Sequence, residues 1–292
     1  MPELPEVQTI VSDLNQKIVG YIIVDFWSDW PKAIKNLSLE KFKKEIKNRK
    51  ILEVRRIGKN IFIDLSGNRT LYVHLKMTGH LLIKTSERQT SKRHDYFSDK
   101  VNQYIHHIWK LEAKKLKPEK LNLEFSDVRK FAKIVLDDTK KINTLPEIKK
   151  LGIDVMDKKF TLRKFEEILE KRKNRAVGLV LMEQELMSGI GNIYRSEILH
   201  LANILPQRKI EYLSAQERIK LYRAIFIVLK KAIKMRGTSD SDYRDTFGVP
   251  GNFQKVLKVY RKTGKKCPRC ATIIKKSTLG QRSIFFCSQC QH

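Results

Sequence analysis

From Leu4 onward the apolar residues Val7, Ile10, Val11, Leu14 and Ile18 recur at the spacing of one helix face, and Gly20 marks a stop. Pro5 falls in the first turn, where a missing N–H costs nothing. The period then shortens. Runs of alternating or β-branched residues follow at 21–26, 51–57, 61–65, 70–75, 80–84, 104–111, 121–125 and 131–136. Short strands in this number predict a β-sandwich or barrel-like domain. Ser66-Gly67-Asn68 reads as a hairpin turn. Polar stretches at 85–101 and 112–120 read as loops, and 137–160 as a mixed, hinge-like connection. Helical periodicity returns at 161–171, 175–187, 192–201 and 214–235, the last opened by the capping box Ser214-Ala-Gln-Glu217. Internal repeats and low-complexity tracts are absent. The pattern predicts an α+β, multidomain chain: an N-terminal helix with a β-sandwich over 1–137, a linker over 138–160, a helical domain over 161–252, and a separate element over 253–292.

Charge narrows the partner. The 292 residues hold 60 Lys+Arg against 32 Asp+Glu, a formal net charge of +28. A surplus of this size points first to nucleic acid, then to an anionic membrane surface. A Lys- and Ile-rich genome would account for part of it. Hydrophobic residues at 41% are enough for real cores, so wholesale disorder is excluded. No apolar run approaches the roughly 20 residues of a membrane span. The opening MPELPEV, with two glutamates, two prolines and no apolar core, is no secretory signal. The expectation is a cytoplasmic protein, not secreted and not membrane-bound.

Cys267, Cys270, Cys287 and Cys290 are spaced C-x2-C-x16-C-x2-C. Each C-x2-C pair can present two thiolates from one knuckle, and a β-hairpin between the pairs completes a tetrahedral S4 site for one Zn2+. Two disulfides are the alternative, but a reducing compartment disfavours them. A closed S4 site leaves no open position, so the metal is expected to be structural. From Thr246 to His292 there is no Asp or Glu and there are ten Lys and Arg, Arg282 among them. That composition suits a nucleic-acid contact, or else a merely solvated basic face.

Two further segments carry candidate chemistry. Gly189-Ile-Gly-Asn192 precedes a helix, where two glycines allow close backbone approach and free N–H groups can receive a phosphate. An ordinary asparagine cap reads the same way. At the N-terminus, loss of the initiator methionine would leave Pro2, a secondary amine without amide resonance. Such an amine can attack an aldehyde-level carbon and form an iminium. Glu3 beside it, and Glu6 one turn on, could move the protons that reaction needs. Taken alone, Pro-Glu also simply opens a helix well.

MPELPEV, HLKMTGHL (74–81), FSDVRKF (125–131), GIGNIY (189–194) and the terminal CPRC…GQRSIFFCSQC occur together, in order, across the whole chain. The sequence thereby resembles the formamidopyrimidine (Fpg) branch of the Fpg/Nei helix–two-turn–helix DNA glycosylases. The resemblance implies that the helical domain is a helix–two-turn–helix domain and the C-terminal element a zinc-bound β-hairpin. The implied activity is a bifunctional glycosylase and AP lyase of base excision repair. It would remove 8-oxoguanine and formamidopyrimidines from duplex DNA and cut the strand by β,δ-elimination through a Schiff base.

The flipped-out nucleotide would be attacked at C1′ by Pro2, with Glu3 protonating the ring oxygen. Lys59 would reach the damaged nucleotide and its phosphate, and Arg282 completes the catalytic set. Glu6 would support the site. Met77, Arg129 and Phe131 match the residues that fill the void, Arg129 facing the orphaned cytosine; by themselves Met77 and Phe131 read equally well as core. His74 would contact backbone phosphate, and Asn192 and Arg282 would grip the phosphates flanking the lesion, two domains thus closing on one kinked strand. The damaged duplex is the implied partner of a nucleoid-associated monomer that requires no protein partner.

Two departures stand out. Lys130 replaces the second arginine of the common Arg-Arg-Phe, which implies a weaker phosphate contact without the fork geometry. Residues 237–251 occupy the stretch that folds over the flipped base, but only a region, Thr238 to Tyr243, can be assigned there. Leu4 stands where the Nei branch, which prefers oxidised pyrimidines, usually has glycine. A non-catalytic zinc-hairpin nucleic-acid binder is the rival from another class, and Pro2, Glu3 and Lys59 argue against it.

Overall fold

The computed structural model describes residues 1–85, 98–113, 119–240 and 242–292. The chain divides into two compact units, Met1–Lys149 with Met235–Asn252, and Lys150–Lys234 with Phe253–His292.

The first unit opens with α1 (Leu4–Ile18), whose Leu4, Val7, Ile10, Leu14 and Ile18 are fully buried. Strand β1 (Ile22–Ser28) follows, then α2 (Leu39–Ile46), β2 (Ile51–Ile57), β3 (Asn60–Leu65), β4 (Arg69–His74), β5 (His80–Thr85), β6 (Ile105–Ala113), β7 (Glu119–Ser126) and β8 (Lys133–Asp138). Two short helices, α3 (Thr139–Asn143) and α4 (Pro146–Lys149), close the sequence. The strands form two antiparallel four-stranded sheets, ordered β1-β6-β7-β5 and β2-β3-β4-β8. Apolar side chains of both sheets and of α1 share one core, as the alternating runs require. Asn15 fastens α1 to the edge strand β2, donating to the Val54 carbonyl and accepting the Val54 N–H. The predicted turn at 66–68 joins β3 to β4 with positive φ at Gly67 and Asn68.

The second unit contains β9 (Ile153–Asp154), α5 (Leu162–Glu170), α6 (Val177–Val180), β10 (Met187–Ser188), α7 (Asn192–Ala202), α8 (Ala215–Lys234), β11 (Lys275–Leu279) and β12 (Arg282–Phe286). The capping box at α8 is present: Glu217 accepts the Ser214 N–H at 2.8 Å and donates its own to Ser214 Oγ at 3.2 Å. Between β11 and β12 the two-residue loop Gly280-Gln281 has positive φ at both positions, as a type I′ hairpin turn requires.

Two expectations change, and one helix appears where the sequence pattern predicts none. The helix read at 175–187 is a single turn, α6, followed by turns and β10, because tertiary partners take its backbone. Val177 and Gly178 donate to the Arg208 and Pro206 carbonyls, and Gln184 accepts from Gly152. The strand read at 131–136 begins at Lys133, since the Phe131 and Ala132 N–H groups go to Asp127. Helix α2 was not legible because only Phe42 and Ile46 are buried, too few for a period to register. Of the stretches expected to be loops, 86–97 and 114–118 lie outside the described residues, while β6 and β7 extend into the rest of 112–120.

Candidate active site

Pro2, Glu3 and Glu6 are all buried at the start of α1. Glu3 is the N-cap, and the box is reciprocal: its side chain accepts the Glu6 N–H while Glu6 Oε2 accepts the Glu3 N–H at 2.7 Å. Glu6 Oε1 accepts the Thr238 N–H, also at 2.7 Å. Both Glu6 oxygens are therefore engaged by backbone donors, which makes this carboxylate a strut between the N-terminus and segment 237–238. Gly237 has φ +79°, and a Cβ there would lie 2.6 Å from Glu6 Oε1, so the strut requires glycine.

The same segment is tied down by charge. Arg236 donates to Asp13 at 3.1 and 2.5 Å and to Asp245 at 2.7 Å, and the Thr246 hydroxyl donates to Asp13 at 2.7 Å. Asp245 turns back to accept the Phe247 and Val249 N–H groups. Tyr243 is buried in the core of this unit. Arg236, Thr238 and Thr246 thus tie this segment to α1.

Lys59 sits in the β2–β3 turn behind Gly58 and is 7% exposed, unusual for a turn lysine. His74 ends β4. Its Nδ1 accepts the Lys76 N–H at 2.9 Å, so the neutral ring carries its proton on Nε2. Burial, reinforced by the charges of Lys76 and Lys59, pushes this imidazole down to about 4. The ring is a neutral donor at physiological pH.

Met77 and Phe131 are 43% and 52% exposed, which excludes core packing. They meet at Arg129, which donates to Met77 Sδ at 3.2 Å and lies over the Phe131 ring at 4.6 Å. Buried Asp127 holds the trio. It accepts the backbone N–H of Arg129, Phe131 and Ala132 at 3.3, 2.9 and 3.0 Å, and the hydroxyl of Thr78 from the Met77 loop. Lys130 projects into solvent from a left-handed conformation, φ +54°.

In the second unit, Asn192 opens α7 and Arg282 opens β12. Together with Tyr260, Arg261, Lys276 and Phe285 they line a cavity of about 690 Å³, so the two expected phosphate ligands share one cationic cleft. Glu197, on the same helix, accepts the N–H groups of Lys258, Val259 and Tyr260 at 2.9, 3.0 and 2.9 Å. The Sγ atoms of Cys267, Cys270, Cys287 and Cys290 lie within 4.8 Å of one another, none in a disulfide. A Zn–S bond of about 2.3 Å gives an S–S edge of about 3.8 Å in a tetrahedron. The Cys267–Cys290 and Cys270–Cys287 separations, 3.9 and 3.4 Å, fit that edge. The four thiolates suit one structural zinc. His200 Nε2 lies 3.6 Å from Cys267 Sγ, a supporting contact that spacing alone does not reveal.

A sandwich with a buried N-terminus, a helical domain and a basic hairpin with four clustered cysteines together define a helix–two-turn–helix DNA glycosylase. Three domain profiles match in order: the formamidopyrimidine-DNA glycosylase N-terminal domain over 1–134, its H2TH domain over 151–244, and the zinc finger found in FPG and IleRS over 264–292. The formamidopyrimidine-DNA glycosylase of Pelotomaculum thermopropionicum is 38% identical over 100% of this chain and 99% of its own. That of Herpetosiphon aurantiacus is 36% identical over the full length of both. Among solved structures, Lactococcus lactis Fpg in complex with abasic-site DNA superposes with a TM-score of 0.83 at 31% identity over the whole of both chains. The chain belongs to the formamidopyrimidine-DNA glycosylase family, DNA glycosylases of base excision repair. No described helix is long and apolar enough to cross a membrane.

Proposed function

We propose that this chain, acting on DNA in the cytoplasm, excises oxidised purines from duplexes and cleaves the strand through a Schiff base on Pro2. The observation that carries the proposal is the buried reciprocal cap of Glu3 and Glu6. It fixes the first residues of the chain with a carboxylate at position 3, while position 6 is consumed by structure. With Met1 in place the Pro2 nitrogen is an amide; Met1 is 48% exposed, and its removal creates the secondary amine.

That amine attacks C1′ of the extruded nucleotide. The base departs with its bonding pair, the Glu3 carboxylate takes the proton that the amine loses and passes it to the ring oxygen, and the opened sugar becomes an iminium on Pro2. The iminium is a fixed cation and acidifies C2′. Proton loss there expels the 3′ phosphate, and a second elimination expels the 5′ phosphate. Lys59 and the Nε2–H of neutral His74 hold the phosphate beside the lesion. Met77 and Phe131 wedge into the vacated stack, and Arg129 meets the widowed base. Asn192 and Arg282 hold flanking phosphates, and zinc keeps the Arg282 hairpin folded.

Lactococcus lactis Fpg has been crystallised with Fapy-dG DNA and also with oxidised-pyrimidine DNA. The competing specificity is therefore tested directly. Cleavage rates on 8-oxoguanine·C and thymine-glycol duplexes, for wild type and Pro2→Gly, should favour the purine lesion and vanish in the variant. Preference for thymine glycol would overturn the substrate assignment, and an active Pro2→Gly the chemistry.

A further inference from the structure

Arg195 lies one turn beyond Asn192 on α7, and its side chain is fully buried. Burying a guanidinium is costly unless its donors are placed. One nitrogen, Nη2, donates both to Asn192 Oδ1 and to the Ser283 carbonyl, the latter at 3.0 Å. Nη1 donates to the Gly178 carbonyl at 3.3 Å. Ser283 is the residue after Arg282, so one buried nitrogen touches both Asn192 and the backbone next to Arg282.

The chemistry of the pair fixes an orientation. A guanidinium has donors only. Asn192 must therefore face it with its oxygen, and both Nδ2 hydrogens remain for an acceptor outside the contact. The bond to Ser283 at the same time sets the start of β12, where Arg282 leaves the hairpin turn. We infer that Arg195 is a positioning residue that aligns the Asn192 amide and the Arg282 guanidinium as one donor array for DNA phosphates. The inference rests on the phosphate roles proposed above for Asn192 and Arg282.

The test measures binding of a duplex carrying a tetrahydrofuran abasic analogue across a salt series, with zinc content and Tm recorded for each protein. Arg195→Met should raise Kd about tenfold and shallow the salt dependence by about one phosphate contact. In an Asn192→Ala/Arg282→Ala background the same change should alter Kd less than twofold, because nothing remains to be positioned. Unchanged Kd and salt slope in Arg195→Met, or a full tenfold loss in that background, would overturn the inference. If Arg195→Met loses zinc or its folding transition, Arg195→Lys serves instead. It keeps the charge but stops about one bond short of Nη2, and wild-type binding by it is equally contrary. Should Asn192→Ala/Arg282→Ala itself bind like wild type, the phosphate reading fails instead.

Discussion

Asp127 is the most informative single residue of the wedge. Its Oδ1 accepts the Thr78 hydroxyl and the Arg129 N–H, and its Oδ2 accepts the N–H groups of Phe131 and Ala132. Asp127→Asn preserves the shape but replaces one oxygen with an NH2 group, which confronts donors. An NH2 at the Oδ1 site can donate to the Thr78 hydroxyl but confronts the Arg129 N–H, and one at the Oδ2 site confronts two N–H groups; at least one bond is lost, and those that remain lose their charged acceptor. Hydrogen bonds to a charged acceptor contribute about 1.5–3 kcal/mol each, so the loss should be about 3 kcal/mol after partial relief of the buried charge. For a protein of this size that lowers Tm by about 6–12 °C.

The same change uncouples the loop of Met77 from that of Arg129 and Phe131. Single-turnover excision of 8-oxoguanine paired with cytosine should fall on the order of 100-fold, since about 3 kcal/mol of wedge alignment is removed. Cleavage at a preformed abasic site, which has no base to extrude, should fall less than tenfold. Melting followed by circular dichroism and gel-resolved kinetics on both duplexes are the assays. Equal losses on the two substrates would refute the reasoning, as would wild-type stability.

Glu3→Gln keeps an oxygen to cap the helix, so the unfolding free energy should change by less than about 1 kcal/mol while base release falls by about 100-fold or more; a nearly active variant would remove Glu3 from the chemistry. His107 is fully buried among Phe26, Trp30, Trp109 and Phe125, and neither ring nitrogen has a hydrogen-bond partner among the described residues. Burial, with the charge of His106, holds it down at about 3. The unfolded chain takes up this proton below about pH 6.5, so the stability is present above 6.5 and is lost as pH falls toward 3. His107→Phe should abolish about 2 kcal/mol of the loss in unfolding free energy between pH 8 and pH 5. The readout is a pH difference, which a packing penalty does not alter; an unchanged difference would contradict the burial argument. Chelation should release one zinc per chain and weaken duplex binding on the order of 100-fold, whereas full binding by the metal-free protein would detach the hairpin from DNA contact.

Periodicity made α1 and all eight sandwich strands legible because each buries a regular face in one shared core. The cysteine spacing predicted the zinc cluster because tetrahedral thiolate geometry constrains sequence as well as space. Met77, Arg129 and Phe131 could be grouped only through the family motif, since nothing local brings residues 52 positions apart together; the Arg129–Met77 contact supplies that link. Asp13 and Arg236 are 223 positions apart, and Asp13 lies beside the apolar stripe of α1 as an apparently ordinary charge. A polar residue on a buried helix face was the one available signal. Glu197 and His200 escaped for the same reason, since their partners are supplied by distant segments, and Arg195 because, besides Asn192 one turn back, it is held by the carbonyls of Gly178 and Ser283. The helix read at 175–187 failed because backbone partners from distant segments, such as the Arg208 and Pro206 carbonyls and the Gly152 N–H, are invisible to periodicity.

The proposed chemistry rests on one amine, that of Pro2. Incubation of the methionine-processed protein with an abasic-site duplex and borohydride, followed by peptide mapping, tests it most directly. A reduced adduct is expected on the N-terminal peptide at Pro2 and absent from Pro2→Gly. An adduct on Lys59, or one that persists in Pro2→Gly, would contradict it.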